Sequence, residues 1–148
     1  LVFCLQADNQ EHLFNQVANL LEERKIVTPS YRTALIEREK SFPTGLDMEF
    51  LGKDLPNVAI PHTDIEHNLA EKVVVVRLNQ AVTFHNMIAP DKEVEVSLLF
   101  FIINNSSSSQ TNILAQLMDF FTKNGNLDNL SKLANEDELY GYITKEIG

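Results

Sequence analysis

By its neighbours alone, His62 is the residue of this chain best placed to do chemistry. It sits in the stretch Asn57-Val58-Ala59-Ile60-Pro61-His62-Thr63-Asp64, where a short apolar run of strand character meets a proline and then a histidine. Proline lacks an N–H and has a fixed φ, so it is expected to stop ladder pairing and aim the next residue outward. Strand ends beside loops are where α/β domains commonly place binding residues. An imidazole there can serve as a base, a metal ligand or a nucleophile. With His67 the stretch reads His62-Thr63-Asp64-Ile65-Glu66-His67, an H-x-D-x-x-H string of candidate metal ligands. It matches no zinc spacing template and has no cysteine nearby.

Arg38 is the second candidate. It follows Tyr31, Ala34 and Leu35 at helical spacing and so shares their apolar stripe. A guanidinium on the core side of a helix needs a partner, and a cation near a helix C-terminus is favoured by the helix dipole. Arg38 is therefore either a structural or snorkelling cation, or an anion clamp at the edge of a pocket. Cys4, in the apolar run Leu1-Val2-Phe3-Cys4-Leu5, is expected to be a buried, inert thiol. His12, on the polar side of a first helix, and His85, in a loop, are expected to be surface histidines. The chain has no G-x-S-x-G elbow, Walker loop, G-x-G-x-x-G or C-x-x-C.

The elements that must position these residues alternate between helix and strand. Leu1 to Leu5 reads as a short strand. Asp8 with Glu11 reads as a capping box opening a helix striped with Leu13, Phe14, Val17, Leu20 and Leu21. Thr28-Pro29 predicts the start of a second helix that runs to about Lys40. Pro43, Gly45, Gly52 and Pro56 mark an irregular stretch that leads into a strand over Val58–Ile60. Val73–Val76 and Val94–Ile103 are the strongest strands, the second apolar enough to be central. Ser106 to Ser109 is a loop and helix start, followed by Ile113, Leu114, Leu117, Met118 and Phe121 at helical spacing. Asn135 with Glu138 predicts a capping box for a last helix carrying Leu139, Tyr142, Ile143 and Ile147. The order β-α-α-β-β-β-α-α indicates an α/β fold, a mixed β-sheet flanked by helices on both faces.

Composition sets the outer limits. At 148 residues the chain is expected to be one domain, 1–148, with a sizeable core. No apolar run approaches the roughly 18 residues of a membrane span. No basic n-region with a cleavage site marks a signal peptide, and opening on Leu1 suggests a trimmed terminus. One cysteine excludes an intramolecular disulfide and fits a reducing cytoplasm. Twenty-one acidic residues against twelve basic ones give a formal charge of −9, which disfavours nucleic acid as a partner.

Arg38-Glu39, Pro43-Thr44-Gly45-Leu46 and Val58-Ala59-Ile60-Pro61-His62-Thr63-Asp64, in that order, closely resemble the fructose- and mannitol-type enzyme IIA domains of the bacterial phosphotransferase system. The wording FPTGL, VAIPHTD with the following EH, VTFHNM at 82–87, and the segment from Gln110 through Leu117-Met118 is most similar to the galactitol-specific branch. The resemblance spans nearly the whole chain. It implies a phosphotransferase in which His62 accepts a phosphoryl group from the phosphohistidine carrier HPr and passes it to a cysteine of enzyme IIB. The membrane component IIC is then an indirect partner. The resemblance requires no cofactor and no metal, and implies a cytoplasmic protein that does not insert into the membrane.

The resemblance also assigns roles. Arg38 matches the family's active-site arginine, with donors for the equatorial oxygens. Thr44 and the backbone at Gly45 would add donors, Thr63 would support the site, and Asp64 would orient the ring through its second nitrogen. Mannitol- and fructose-type relatives carry a second active-site histidine at the start of a later helix. Aligning QTNILAQLM by its leucines puts Gln110 there, as in the galactitol-like branch. An amide can donate to a phosphoryl oxygen but cannot hold a positive charge. His67 is then a candidate accessory imidazole. Two other readings stay open: a regulatory domain that senses phosphorylation at His62, and a metal-binding module built on His62, Asp64 and His67.

Overall fold

The apolar run after Glu93 forms the strand around which the sheet is built. The computed structural model describes residues 1–48, 55–123 and 125–147, without the side chains of residues 107–111 and 146–147. Gly52, expected in the irregular stretch, lies outside the described residues, as does the side chain of Ile147. Along the chain come β1 (Val2–Leu5), α1 (Gln10–Glu23), α2 (Tyr31–Ser41), β2 (Gly45–Leu46), β3 (Asn57–Ala59), a 3-10 turn (Ile65–His67), β4 (Lys72–His85), β5 (Glu93–Ile103), α3 (Ser107–Thr122), α4 (Asn126–Lys132) and α5 (Glu136–Ile147). The strands lie in the order β1-β4-β5-β3-β2. β1 pairs parallel with β4 and β3 parallel with β5, while β4–β5 and β2–β3 are antiparallel, so the sheet is mixed as expected.

β5 is central, and its alternate residues enter different layers. Leu99, Phe101 and Ile103 pack under α1 and α2, together with Leu13, Phe14, Val17, Tyr31 and Leu35. Leu98, Phe100 and Ile102 pack on the other face with Leu117, Phe121, Leu130 and Leu139 from α3, α4 and α5. Helices thus cover both faces. Aromatic rings tie each layer to the sheet edge-on: Phe14 meets Phe84 and Phe101 at 5.8 and 5.9 Å, and Phe100 meets Phe121 at 4.9 Å. Among the described residues, no helix is long and apolar enough to cross a membrane.

Several boundaries differ from those read off the sequence. Asn9, not Asp8, caps α1, its side chain accepting from the His12 N–H at 2.8 Å. The second helix begins at Tyr31 rather than Pro29, because Ser30 Oγ is engaged with Thr28 Oγ1 and His67 Nδ1, both at 2.7 Å, and does not cap it. β4 runs far past Val76, to His85, so His85 ends a strand instead of lying in a loop. The Asn135 cap forms as expected, accepting from Glu138 N at 3.0 Å. α4, just ahead of it, and β2 are elements the pattern did not reveal.

β2 sets the floor of the region around His62. Gly45 faces β4 so closely that an added Cβ would stand 2.6 Å from the His85 carbonyl oxygen. Met87 N–H bonds back to the Gly45 carbonyl at 2.8 Å. The obstructing atom is backbone and cannot swing away. Gly45→Ala is therefore expected to cost roughly 1–3 kcal/mol, read as a lower urea midpoint at unchanged slope. An unchanged midpoint would mean that β2 tolerates the displacement.

Candidate active site

Strand β3 delivers His62 by a route that only partly follows expectation. Pro61 does not end pairing with β5: its carbonyl accepts from Ile102 N–H at 3.1 Å, and His62 bridges to Ile102. What the proline changes is the donor side, since it offers no N–H. The residue before it, Ile60, turns its N–H toward the Thr44 carbonyl at 3.3 Å. The Ile60 carbonyl is then free to meet the imidazole, with His62 Nδ1 2.9 Å from its oxygen. A carbonyl oxygen can only accept, so Nδ1 carries the proton and Nε2 holds the lone pair. The ring is half-buried, and its pKa is lowered from the ordinary 6.5, first by desolvation and further by the Arg38 charge, against the opposing effects of the Ile60 bond and Asp64. His62 is thus predominantly neutral at neutral pH, with its Nε2 lone pair unprotonated.

Arg38, in the last turn of α2, lines the same cavity as His62, a space of about 270 Å³ that also includes Phe42, Thr44 and Met87. Its guanidinium lies over the Phe42 ring, 4.8 Å from the centroid, and Nη1 reaches Asp64 Oδ1 at 3.3 Å. Its Nε is buried and has no hydrogen-bond partner among the described residues. A cation with an unsatisfied donor, about a third exposed and braced on an aromatic ring, fits an incoming anion.

The remaining expected residues divide. Asp64 is not the ring's orienting partner, because the Ile60 carbonyl already holds Nδ1; it pairs instead with Arg38. With Asp64 71% exposed, that pair is a tether more than a source of stability. The two donors of Thr44, buried at 2% exposure, are both occupied by Glu39: Thr44 N–H to Oε2 at 2.7 Å and the hydroxyl to Oε1 at 2.8 Å. Thr44 thus supports the site from beneath. The close approach at Gly45 is to the His85 backbone. Thr63 is buried, its hydroxyl donating to the Asp64 carbonyl at 2.9 Å. His67 is held by Ser30 at the N-terminal end of α2, about 12 Å of helix away from Arg38. The structure therefore does not gather His62, Asp64 and His67, and among the described residues no group of three His, Cys, Asp or Glu could hold a metal ion. Gln110 falls in the first turn of α3, with its side chain outside the described residues.

Cys4 is half-buried, not buried, and its Sγ lies 3.7 Å from Arg77 Nη2. It sits on the edge strand farthest from β2 and β3. Glu39, part of the Arg38-Glu39 stretch but given no role by the sequence, is only 4% exposed. The true buried stripe of α2 is Tyr31, Leu35 and Glu39, four residues apart each time, and that spacing was the signal available. Burial raises its pKa to about 7, against the lowering effects of the Thr44 hydroxyl, the Thr44 N–H and the nearby His85.

With this geometry in place, the chain's membership is clear. Residues 1–146 match the family described as "Phosphoenolpyruvate-dependent sugar phosphotransferase system, EIIA 2", and the chain belongs to it. It is a phosphoryl-relay component of a sugar phosphotransferase system, a phosphotransferase of the kind that works through a phosphohistidine intermediate. It is 26% identical over 139 residues to the galactitol-specific EIIA component of Escherichia coli K12, covering 94% of this chain and 88% of that one. Its fold matches the Escherichia coli mannitol IIA solved in complex with phosphorylated IIB, with a TM-score of 0.74 at 20% identity, covering 97% of this chain and 94% of that one. It also matches the nitrogen regulatory protein IIA-Ntr of Neisseria meningitidis, with a TM-score of 0.70 at 23% identity, covering 96% and 91%.

The buried Glu39 has a consequence for stability. Its folded pKa, about 7, lies above the ordinary 4.5, so the folded chain keeps this proton where the unfolded chain has released it. The resulting stability is present at low pH and lost as pH rises from about 4.5 to about 7. Glu39→Gln removes that titration. Relative to Glu39→Gln, the unsubstituted protein is expected to lose roughly 3 kcal/mol between pH 4.5 and pH 8, measured by urea unfolding of both. A difference that does not vary with pH would contradict the assignment.

Proposed function

We propose that this chain, as a single unit over residues 1–148, is the IIA component of a galactitol-type phosphotransferase system. It accepts the phosphoryl group of phospho-HPr on His62 and passes it to a cysteine of enzyme IIB. The observation that carries the reading is the Nδ1–H bond of His62 to the Ile60 carbonyl, which leaves Nε2 as the nucleophile in a cavity shared with Arg38.

In the first step the Nε2 lone pair forms a bond to phosphorus as the bond from phosphorus to the carrier's histidine breaks. The Arg38 guanidinium, lining the cavity, receives charge on the equatorial oxygens. Gln110, at the head of α3, adds an amide donor. In the second step the IIB thiolate attacks phosphorus, and His62 leaves as an imidazole still anchored through Nδ1. No cofactor or metal takes part.

The choice of partners rests on several supports. The galactitol-specific relative covers most of the chain, and the mannitol neighbour was solved with phosphorylated IIB. Beside the cavity the chain exposes the lining residues Phe42 at 62% and Met87 at 36%, with Ile88, the residue after Met87, at 88%, apolar groups open to a partner. The acidic surface favours encounter with a partner that is basic around its phosphohistidine. The membrane component IIC is an indirect partner, and the relay belongs in the cytoplasm, where such carriers work.

The test is intact mass after incubation with phosphoenolpyruvate, enzyme I and HPr. One acid-labile phosphoryl adduct is expected on the unsubstituted protein and none on His62→Ala, with transfer to Arg38→Ala slowed by about 100-fold. Addition of a galactitol-type IIB should then discharge the adduct. Label persisting on His62→Ala would move the site elsewhere. An adduct that IIB cannot discharge would favour a regulatory domain that senses phosphorylation.

A further inference from the structure

We propose that Glu39 is a positioning residue for phosphoryl transfer, setting the orientation and tautomer of His62 through Thr44 and the Ile60 peptide. This deepens the relay reading above and rests on it. The path is an unbroken chain of hydrogen bonds. Glu39 accepts both the N–H and the hydroxyl of Thr44, at 2.7 and 2.8 Å. The Thr44 carbonyl accepts the Ile60 N–H at 3.3 Å, and the Ile60 carbonyl accepts His62 Nδ1–H at 2.9 Å. Every link but the last joins groups that are almost fully buried, with Glu39, Thr44 and Ile60 at 4%, 2% and 1% exposure. In such surroundings a hydrogen bond fixes geometry firmly, because water offers no competing partner.

Packing alone gives no reason for this residue. Glu39 continues a buried stripe that begins with Tyr31 and Leu35, where an aliphatic side chain would fill the space without the cost of burying a carboxyl. What a carboxyl adds is a pair of acceptors that hold one residue by two donors. The place of that residue matters. Glu39 follows Arg38 in the last turn of α2, so adjacent residues of one helix end serve two sides of the same cavity. Arg38 faces the space where the anion is to bind, while Glu39 fixes the strand beneath the imidazole. The distance between cation and nucleophile is then set within one rigid turn and one strand pair, the arrangement that in-line transfer rewards. Glu39 touches neither phosphoryl group nor imidazole. Its effect passes through the Ile60 carbonyl, the acceptor that makes Nε2 the nucleophile.

The experiment combines nitrogen-15 NMR of the unphosphorylated histidines with single-turnover phosphorylation by phospho-HPr. It uses the full chain and the variants Glu39→Ala, Glu39→Gln and Thr44→Val, well below each variant's melting temperature. Glu39→Ala is expected to populate the Nε2–H tautomer of His62 and to slow transfer by about ten- to a hundredfold. Glu39→Gln, which can still accept the Thr44 N–H and can donate to its hydroxyl oxygen, is expected to restore most of the rate and the original tautomer. Thr44→Val removes one link and is expected to shift both readouts in the same direction by less; it carries the test by itself should Glu39→Ala fail to fold. A folded Glu39→Ala, or failing that Thr44→Val, whose tautomer and rate match the unsubstituted protein would overturn the proposal and leave Glu39 a structural clamp. The relay reading has its own control in the same assay: it fails there if the unsubstituted chain takes no phosphoryl group, whatever the variants do.

Discussion

The imidazole of His62 donates its Nδ1 proton to the carbonyl of Ile60, two residues back, and the surrounding structure keeps that carbonyl where it is. The bond exists because Pro61 interrupts the donor side of β3 and not its acceptor side. Ile60 N–H turns to Thr44, just ahead of β2, Pro61 C=O turns to β5, and the carbonyl between them is left to the ring. A residue with an N–H at Pro61 would add a donor at this point and open other pairings. The outcome is chemical as well as geometric. A neutral histidine has two nitrogens able to react, and one backbone acceptor reduces them to one.

The layers of the fold meet at this point. β5 is buried on both faces, so it is fixed in the sheet and fixes β3 beside it through parallel pairing. β2 is only two residues long, yet it joins the end of α2 to the far side of β3, with Gly45 allowing the close contact with β4 that holds it in place. α2 then brings Arg38 to the cavity and Glu39 to the strand beneath. The cost of burying the Glu39 carboxyl shows in its raised pKa. That cost is offset by the two hydrogen bonds from Thr44, and the result is a firm junction between helix and sheet.

The broad architecture was legible because apolar periodicity is a strong signal where burial is continuous. The run from Val94 to Ile103 could only be a central strand, and the Leu13, Phe14, Val17 and Leu21 stripe could only be a covered helix. His62 and Arg38 were legible from a proline–histidine pair and a misplaced cation. Glu39 was not, because a charged residue reads as solvated until its partner is known, and Thr44 comes into reach only when the turn after α2 closes. β4 was read too short because Asn79, Gln80 and Ala81 face solvent where its pairing with β5 slips, between Arg77 and Val82. α4 was missed because its buried Asn126 is paid for by bonds to the Phe120 carbonyl and the Tyr142 hydroxyl, which no local pattern announces. The placement of His67 was not legible for a similar reason, since Ser30 claims its ring from across the chain.

The central claim is that one backbone acceptor selects the reacting nitrogen of His62. The most direct measurement is nitrogen-15 and phosphorus-31 NMR of the phosphorylated protein, labelled at histidine, to identify which ring nitrogen carries phosphorus. Phosphorus is expected on Nε2, with Nδ1 still protonated and bonded to the Ile60 carbonyl. Phosphorus on Nδ1 would contradict it, because that nitrogen would have to leave Ile60 before it could react.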